Sequence, residues 1–154
     1  MKECLEIPPA LQAVIEAAAD AVWPEEACGL LLGRPDRGLL LAAVPVPNRM
    51  PPPRRRTGFT IDPAFHAALA RRARAQGLVI CGAFHSHPAG PPGLSALDRR
   101  LLPPDPGWIT LLLGSRNGRG QWRLAAFRGT RRVAIRRGGR RNQLFLRRSS
   151  SPVT

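Results

Sequence analysis

The sequence predicts an α/β or α+β domain with one central sheet flanked by helices. Segments with helical spacing of apolar residues alternate with short apolar runs, the pattern expected of layered helices and strands. The 154 residues suit one compact domain, and 44% of them are hydrophobic, enough to fill a core. No internal repeat or long linker interrupts the alternation.

Each element follows from local chemistry. Leu11, Val14, Ile15, Ala18 and Val22 fall on one helical face, so residues 9–23 read as an amphipathic helix that Pro24 breaks. Residues 30–33 and 39–46 read as paired strands around the turn Pro35-Asp36-Arg37-Gly38. Residues 48–57, rich in Pro and Arg, read as an exposed loop, and Phe59-Thr60-Ile61 as a short strand. Asp62 is placed to cap a helix with Pro63 in its first turn and Gly77 at its close. Residues 78–84 form a short apolar run, a buried strand. The Pro/Gly stretch at 88–94 is a loop, and Ser95 opens a short helix that Pro103 ends. Residues 108–113 and 122–127 read as strands joined near Asn117-Gly118, with a last strand at Val133-Ala134-Ile135. We expect residues 1–137 to form the domain and residues 138–154, rich in Arg and Ser, to form a flexible tail.

Composition narrows the function classes. No stretch approaches the roughly 20 apolar residues that span a bilayer, and the first residues lack the apolar core of a secretory signal. We therefore expect a cytoplasmic protein with no membrane partner. Cys4, Cys28 and Cys81 are widely spaced and form no CxxC pair, which argues for free, mostly buried thiols rather than a disulfide framework or a zinc ribbon. The net charge of +14 is uneven: residues 116–154 hold 12 arginines and no acid. Such asymmetry fits an acidic partner or nucleic acid. It also fits a composition rich in Ala, Arg, Pro, Gly and Leu with a single lysine, as a GC-rich genome favours. An RNA-binding module is the weaker expectation, because stacking aromatics are not interleaved with the arginines apart from Phe145.

The chemistry concentrates in His85-Ser86-His87-Pro88 followed by Ser95 and Asp98, which uses two of the three histidines. Side chains alternate along a strand, so His85 and His87 share a face while Ser86 points away. Ser95 and Asp98, three apart at a helix start, share a helical face. Two imidazoles and one carboxylate make three ligands with a fourth position open, the count of a catalytic rather than a structural zinc site. Ser95 with Asp98 also reads as a simple helix cap. The same ligand set can hold iron(II) in an oxygenase, although Ser95 and the upstream glutamates then have no task. His66 reads as a helix residue outside the site, and Trp108 and Trp122 as packing for the sheet.

This spacing resembles the JAMM/MPN-plus (Mov34/MPN/PAD-1) signature, in its short prokaryotic single-domain form, from about residue 8 to about residue 136. The segment Glu25-Glu26-Ala27-Cys28-Gly29-Leu30-Leu31-Leu32-Gly33 stands where the family carries its upstream glutamate. The family's glutamate lies three residues before the glycine, which selects Glu26. A RadC-like JAB protein, with a similar His-x-His-Pro segment, is the nearest alternative. The resemblance implies a cytidine deaminase-like fold with a mixed, curved sheet between helices. It implies one zinc per chain on His85, His87 and Asp98, with Glu26 as general base and Ser95 as donor to the developing oxyanion. It also implies hydrolysis of a peptide or isopeptide bond, often at the C-terminal glycine of a ubiquitin-like or sulfur-carrier protein.

Overall fold

The computed structural model describes residues 3–138. Most of the expected flexible tail, residues 139–154, lies outside the described residues. Strand β1 (Cys4–Ile7) leads into helix α1 (Pro9–Val22), then strands β2 (Cys28–Arg34) and β3 (Leu39–Val46). Helix α2 (Pro63–Ala75), strand β4 (Val79–His87) and helix α3 (Ala96–Leu101) follow. Strands β5 (Ile109–Ser115), β6 (Trp122–Arg128) and β7 (Arg131–Arg137) complete the chain.

The strands form one sheet in the order β1-β7-β6-β5-β4-β2-β3. It is mixed: β1 with β7 and β4 with β5 are parallel, and the other pairs are antiparallel. The sheet curls far enough for its edge strands β1 and β3 to touch. One face closes over α1, where Leu11, Ile15 and Ala19 meet Leu31, Phe84, Leu111 and Leu113 in the main core. On the other face Leu112, Ala125 and Phe127 form a smaller cluster with Leu94. Runs buried on both faces explain why β2 and β5 read as continuous apolar segments instead of alternating ones.

Local signals placed most elements. Gly38 closes the β2–β3 turn at φ 64°, a left-handed conformation that a side chain disfavours. Asp62 caps α2 by accepting from the Ala64 N–H at 2.9 Å. At Gly82 the β4 and β5 backbones come so close that a Cβ would lie 2.1 Å from the Ile109 carbonyl oxygen. One expectation needs correction. Phe59-Thr60-Ile61 is not a strand; the Arg49 N–H donates to the Thr60 carbonyl, and Asn48 holds the Thr60 N–H. The thiols are free and mostly buried, as expected: Cys28 and Cys81 are buried and Cys4 is exposed. Strand β1 was not expected: four residues before a proline carry little periodicity, and its partner β7 lies at the other end of the chain. No helix among the described residues is long and apolar enough to cross a membrane.

Candidate metal centre

The site forms where β4 ends between β2 and β5. Alternation along β4 puts His85 and His87 on one face and turns Ser86 to the other, as expected. Ser86 is fully buried, its hydroxyl accepts from the Ala27 N–H at 2.8 Å, and its own N–H donates to the Ala27 carbonyl at 3.1 Å. These two bonds tie the end of β4 to the residue after Glu26. The 88–94 loop then returns the chain so that α3 presents Asp98 to the histidines.

Asp98 Oδ1 lies 3.2 Å from His85 Nε2, and Oδ2 lies 3.2 Å from His87 Nε2. One donor atom from each of the three residues falls within 4.8 Å of the others, making a group able to hold a metal ion. His87 Nδ1 lies 3.2 Å from the Pro91 carbonyl oxygen. When Nδ1 donates there, the Nε2 lone pair faces Asp98, the arrangement a metal-binding imidazole requires. The Phe59 ring packs on His85 with centroids 4.7 Å apart.

Two buried polar atoms here have no hydrogen-bond partner, His85 Nε2 and Glu26 Oε2. The His85 nitrogen lies 3.2 Å from Asp98 Oδ1 with no hydrogen bond between them. Buried polar atoms are rarely left unpaired. A cation bound by His85, His87 and Asp98 would satisfy the histidine, and a water beside it would satisfy the glutamate. The donor set fits zinc.

Electrostatics follow from burial. Glu26 is 4% exposed. Burial pushes its carboxyl up to about 8, against a smaller lowering by His87, and Asp98 adds to the rise. Burial also pulls the His85 imidazole down. For His87, burial opposes charge, but the Asp98 and Pro91 contacts outweigh it and raise its pKa. Burial would raise the Asp98 carboxyl, but its close contacts with His85 and His87 outweigh that and hold it well below the usual carboxylate range. Burial pushes the Cys28 thiol to about 12 and the Cys81 thiol to about 11. Both are inert packing groups, as expected.

Ser95 sits at the α3 N-cap in a reciprocal capping box: its hydroxyl accepts from the Asp98 N–H at 3.0 Å, and its N–H donates to Asp98 Oδ2 at 2.9 Å. The cap therefore orients the carboxylate, and the hydroxyl proton is left free to donate. Glu26 lines one cavity together with Asn48 and Arg55. His85 and Asp98 line another of about 340 Å³, bounded by Phe59, His66, Leu94 and Trp108. The sequence reading left His66 and Trp108 outside the site; both lie in its neighbourhood. Asn48, expected at the start of an exposed loop, is half-buried and bonded to the Glu26 carbonyl at 3.1 Å. Nothing in its sequence neighbours signals that contact.

Residues 8–125 match the family model for prokaryotic homologs of the JAB domain. The chain belongs to this family. The expected JAMM/MPN relationship and fold are borne out. This prokaryotic JAB chain is 34% identical over 89 residues to a desampylase of Haloferax volcanii, a match covering 58% of this chain and 62% of that protein. A solution structure of a Desulfitobacterium hafniense protein superposes with a TM-score of 0.71 at 29% identity, covering 88% of this chain and 92% of that one. A structure described as a JAMM metalloprotease-like zinc site in the proteasome and signalosome shares the fold, with a TM-score of 0.53 at 16% identity over 89% of this chain and 100% of that one.

Proposed function

We propose that this prokaryotic JAB protein is a zinc-dependent metallopeptidase that hydrolyses a peptide or isopeptide bond at the C-terminal Gly-Gly end of a ubiquitin-like or sulfur-carrier protein. The observation that carries this reading is the convergence of His85, His87 and Asp98, with the buried, unpartnered Glu26 carboxylate within electrostatic reach of His87 and Asp98. The desampylase relative and the zinc site described for the fold neighbour support it. The free thiols suit a cytoplasmic setting.

His85, His87 and Asp98 would hold the metal, and zinc bound there would supply an activated water and a Lewis acid toward the scissile carbonyl. Glu26 accepts the proton of the attacking water at its carboxylate and returns it to the leaving amine. The Ser95 hydroxyl donates to the carbonyl oxygen as it gains charge. Glycines on the substrate let the backbone approach this recessed site. Among the described residues the outer edge of β3 has no strand partner, and Val46 at its end is in register with Cys28 and His85. An extended tail can add to that edge and lead into the site.

Elemental analysis of the purified protein should find one zinc per chain, and His87→Ala should lose it. Glu26→Gln should keep the zinc and lose turnover of a Gly-Gly amide by about 10²–10⁴-fold. Equal zinc in His87→Ala and parent would remove the ligand assignment, and near-parental turnover by Glu26→Gln would remove the base.

A further inference from the structure

We infer that Asn48 is a positioning residue for catalysis, holding the peptide group of Glu26 through its side-chain amide. The inference rests on Glu26 acting as the base. Glu26 lies two residues before β2 begins, so no strand ladder fixes its backbone. Its N–H donates to the Arg55 carbonyl at 2.7 Å, and its carbonyl accepts from Asn48 Nδ2 at 3.1 Å. The next residue is already clamped by Ser86. The Asn48 bond completes the restraint on a carboxylate that has no hydrogen bond to its own buried Oε2.

The Asn48 amide is fully used. Nδ2 also donates to the Gly58 carbonyl at 3.0 Å, while Oδ1 accepts from the Met50 N–H at 3.0 Å and the Thr60 N–H at 3.2 Å. Two carbonyls on one side and two N–H groups on the other determine which atom is nitrogen. One side chain thus closes the 48–60 loop on itself and fastens it to the base. The oxygen serves the loop alone, while the nitrogen joins the loop at Gly58 to the Glu26 carbonyl.

Asn48→Asp keeps the acceptor for Met50 and Thr60 and removes both donors. We expect it to fold with parental zinc content and to melt several degrees below the parent, because a carboxylate oxygen then faces the Glu26 and Gly58 carbonyl oxygens with no donor between them. In the full zinc-loaded chain, assayed on a fluorogenic peptide amide ending in Gly-Gly, kcat should fall by about 10–100-fold, the cost of a misplaced catalytic group. KM should stay within about twofold. Hydrogen exchange over residues 25–28 should quicken in the same variant, whether or not the peptide is cleaved. In a Glu26→Gln background the Asn48→Asp change should cost nothing further. Parental kcat, unchanged exchange, or a loss that follows zinc content or KM alone overturns the inference. If Asn48→Asp does not fold, Asn48→Ser, which cannot span to the Glu26 carbonyl, is read by the same criteria. A Glu26→Gln enzyme that turns over normally sinks the base assignment itself. An inactive Glu26→Gln beside a fully active Asn48→Asp sinks only the role of Asn48.

Discussion

At the scale of residues, the site stores an electrostatic cost. A carboxyl raised to about 8 by burial binds a proton in the folded protein that the unfolded chain, titrating near an ordinary 4.5, releases. Metal-free protein therefore loses stability as pH rises between those two values, and above the upper one it bears the full cost of a buried charge. Glu26→Gln removes that titration. Metal-free Glu26→Gln should melt several degrees above metal-free parent at pH 9 and close to it at pH 4. Equal melting temperatures at both pH values would mean that the carboxylate is solvated. Ser95 has two tasks that substitution can separate. Ser95→Ala loses the helix cap, worth about 1 kcal/mol, and the hydroxyl donor together. Ser95→Asp keeps a cap but cannot donate. If the hydroxyl stabilises the developing oxyanion, both variants should lose about 10²–10³ in kcat. Recovery of activity in Ser95→Asp would leave Ser95 as a cap alone.

At the scale of elements, α1 is held at its far end by a polar contact as well as by its apolar face. Asp20 Oδ1 accepts from the Gly120 N–H at 2.9 Å and from Trp122 Nε1 at 2.8 Å, fastening α1 to the turn before β6. Trp122 also packs on the main core, as its sequence context suggested. Asp20→Ala should destabilise the fold by about 1–3 kcal/mol in urea denaturation, since it leaves the indole N–H without its acceptor. Asp20→Asn retains an acceptor and should cost less. The assay in zinc-loaded enzyme should show little change in kcat, because neither group reaches the metal centre.

At the scale of the molecule, the structure redistributes the charge that the sequence places in its last quarter. Many of those arginines lie on β6 and β7 instead of a tail. Arg128 and Arg131 pair with Glu3, just before β1, and Arg136 pairs with Glu6 within it, so these acids offset part of the excess. Gly138 belongs with the fold as well, its N–H donating to the Ile7 carbonyl at 3.1 Å. Removal of residues 139–154 should leave zinc content and small-peptide cleavage unchanged. It should lower kcat/KM for an acidic protein substrate at low salt only, because opposite charge mainly speeds encounter and is screened beyond about 8–10 Å at physiological salt. Equal effects on peptide and protein substrates across a salt series would show that the tail is no encounter surface.

Sequence alone determined what depends on short-range geometry. The shared face of His85 and His87, the capping relation of Ser95 and Asp98, and the ends of α2 at Asp62 and Gly77 all lie within a few residues of one another. Strand alternation, helical spacing and turn chemistry therefore made them legible. The choice of Glu26 over Glu25 came from likeness to a family, not from the residues themselves. Only tertiary structure decided the rest: strand β1, the curl that brings the sheet edges together, and the grip of Asn48 on Glu26. Each joins groups far apart in the chain or with no periodic signal of their own. Such pairings are selected by which buried N–H and carbonyl groups must find partners once the core has closed, a condition on the whole fold that no short segment records.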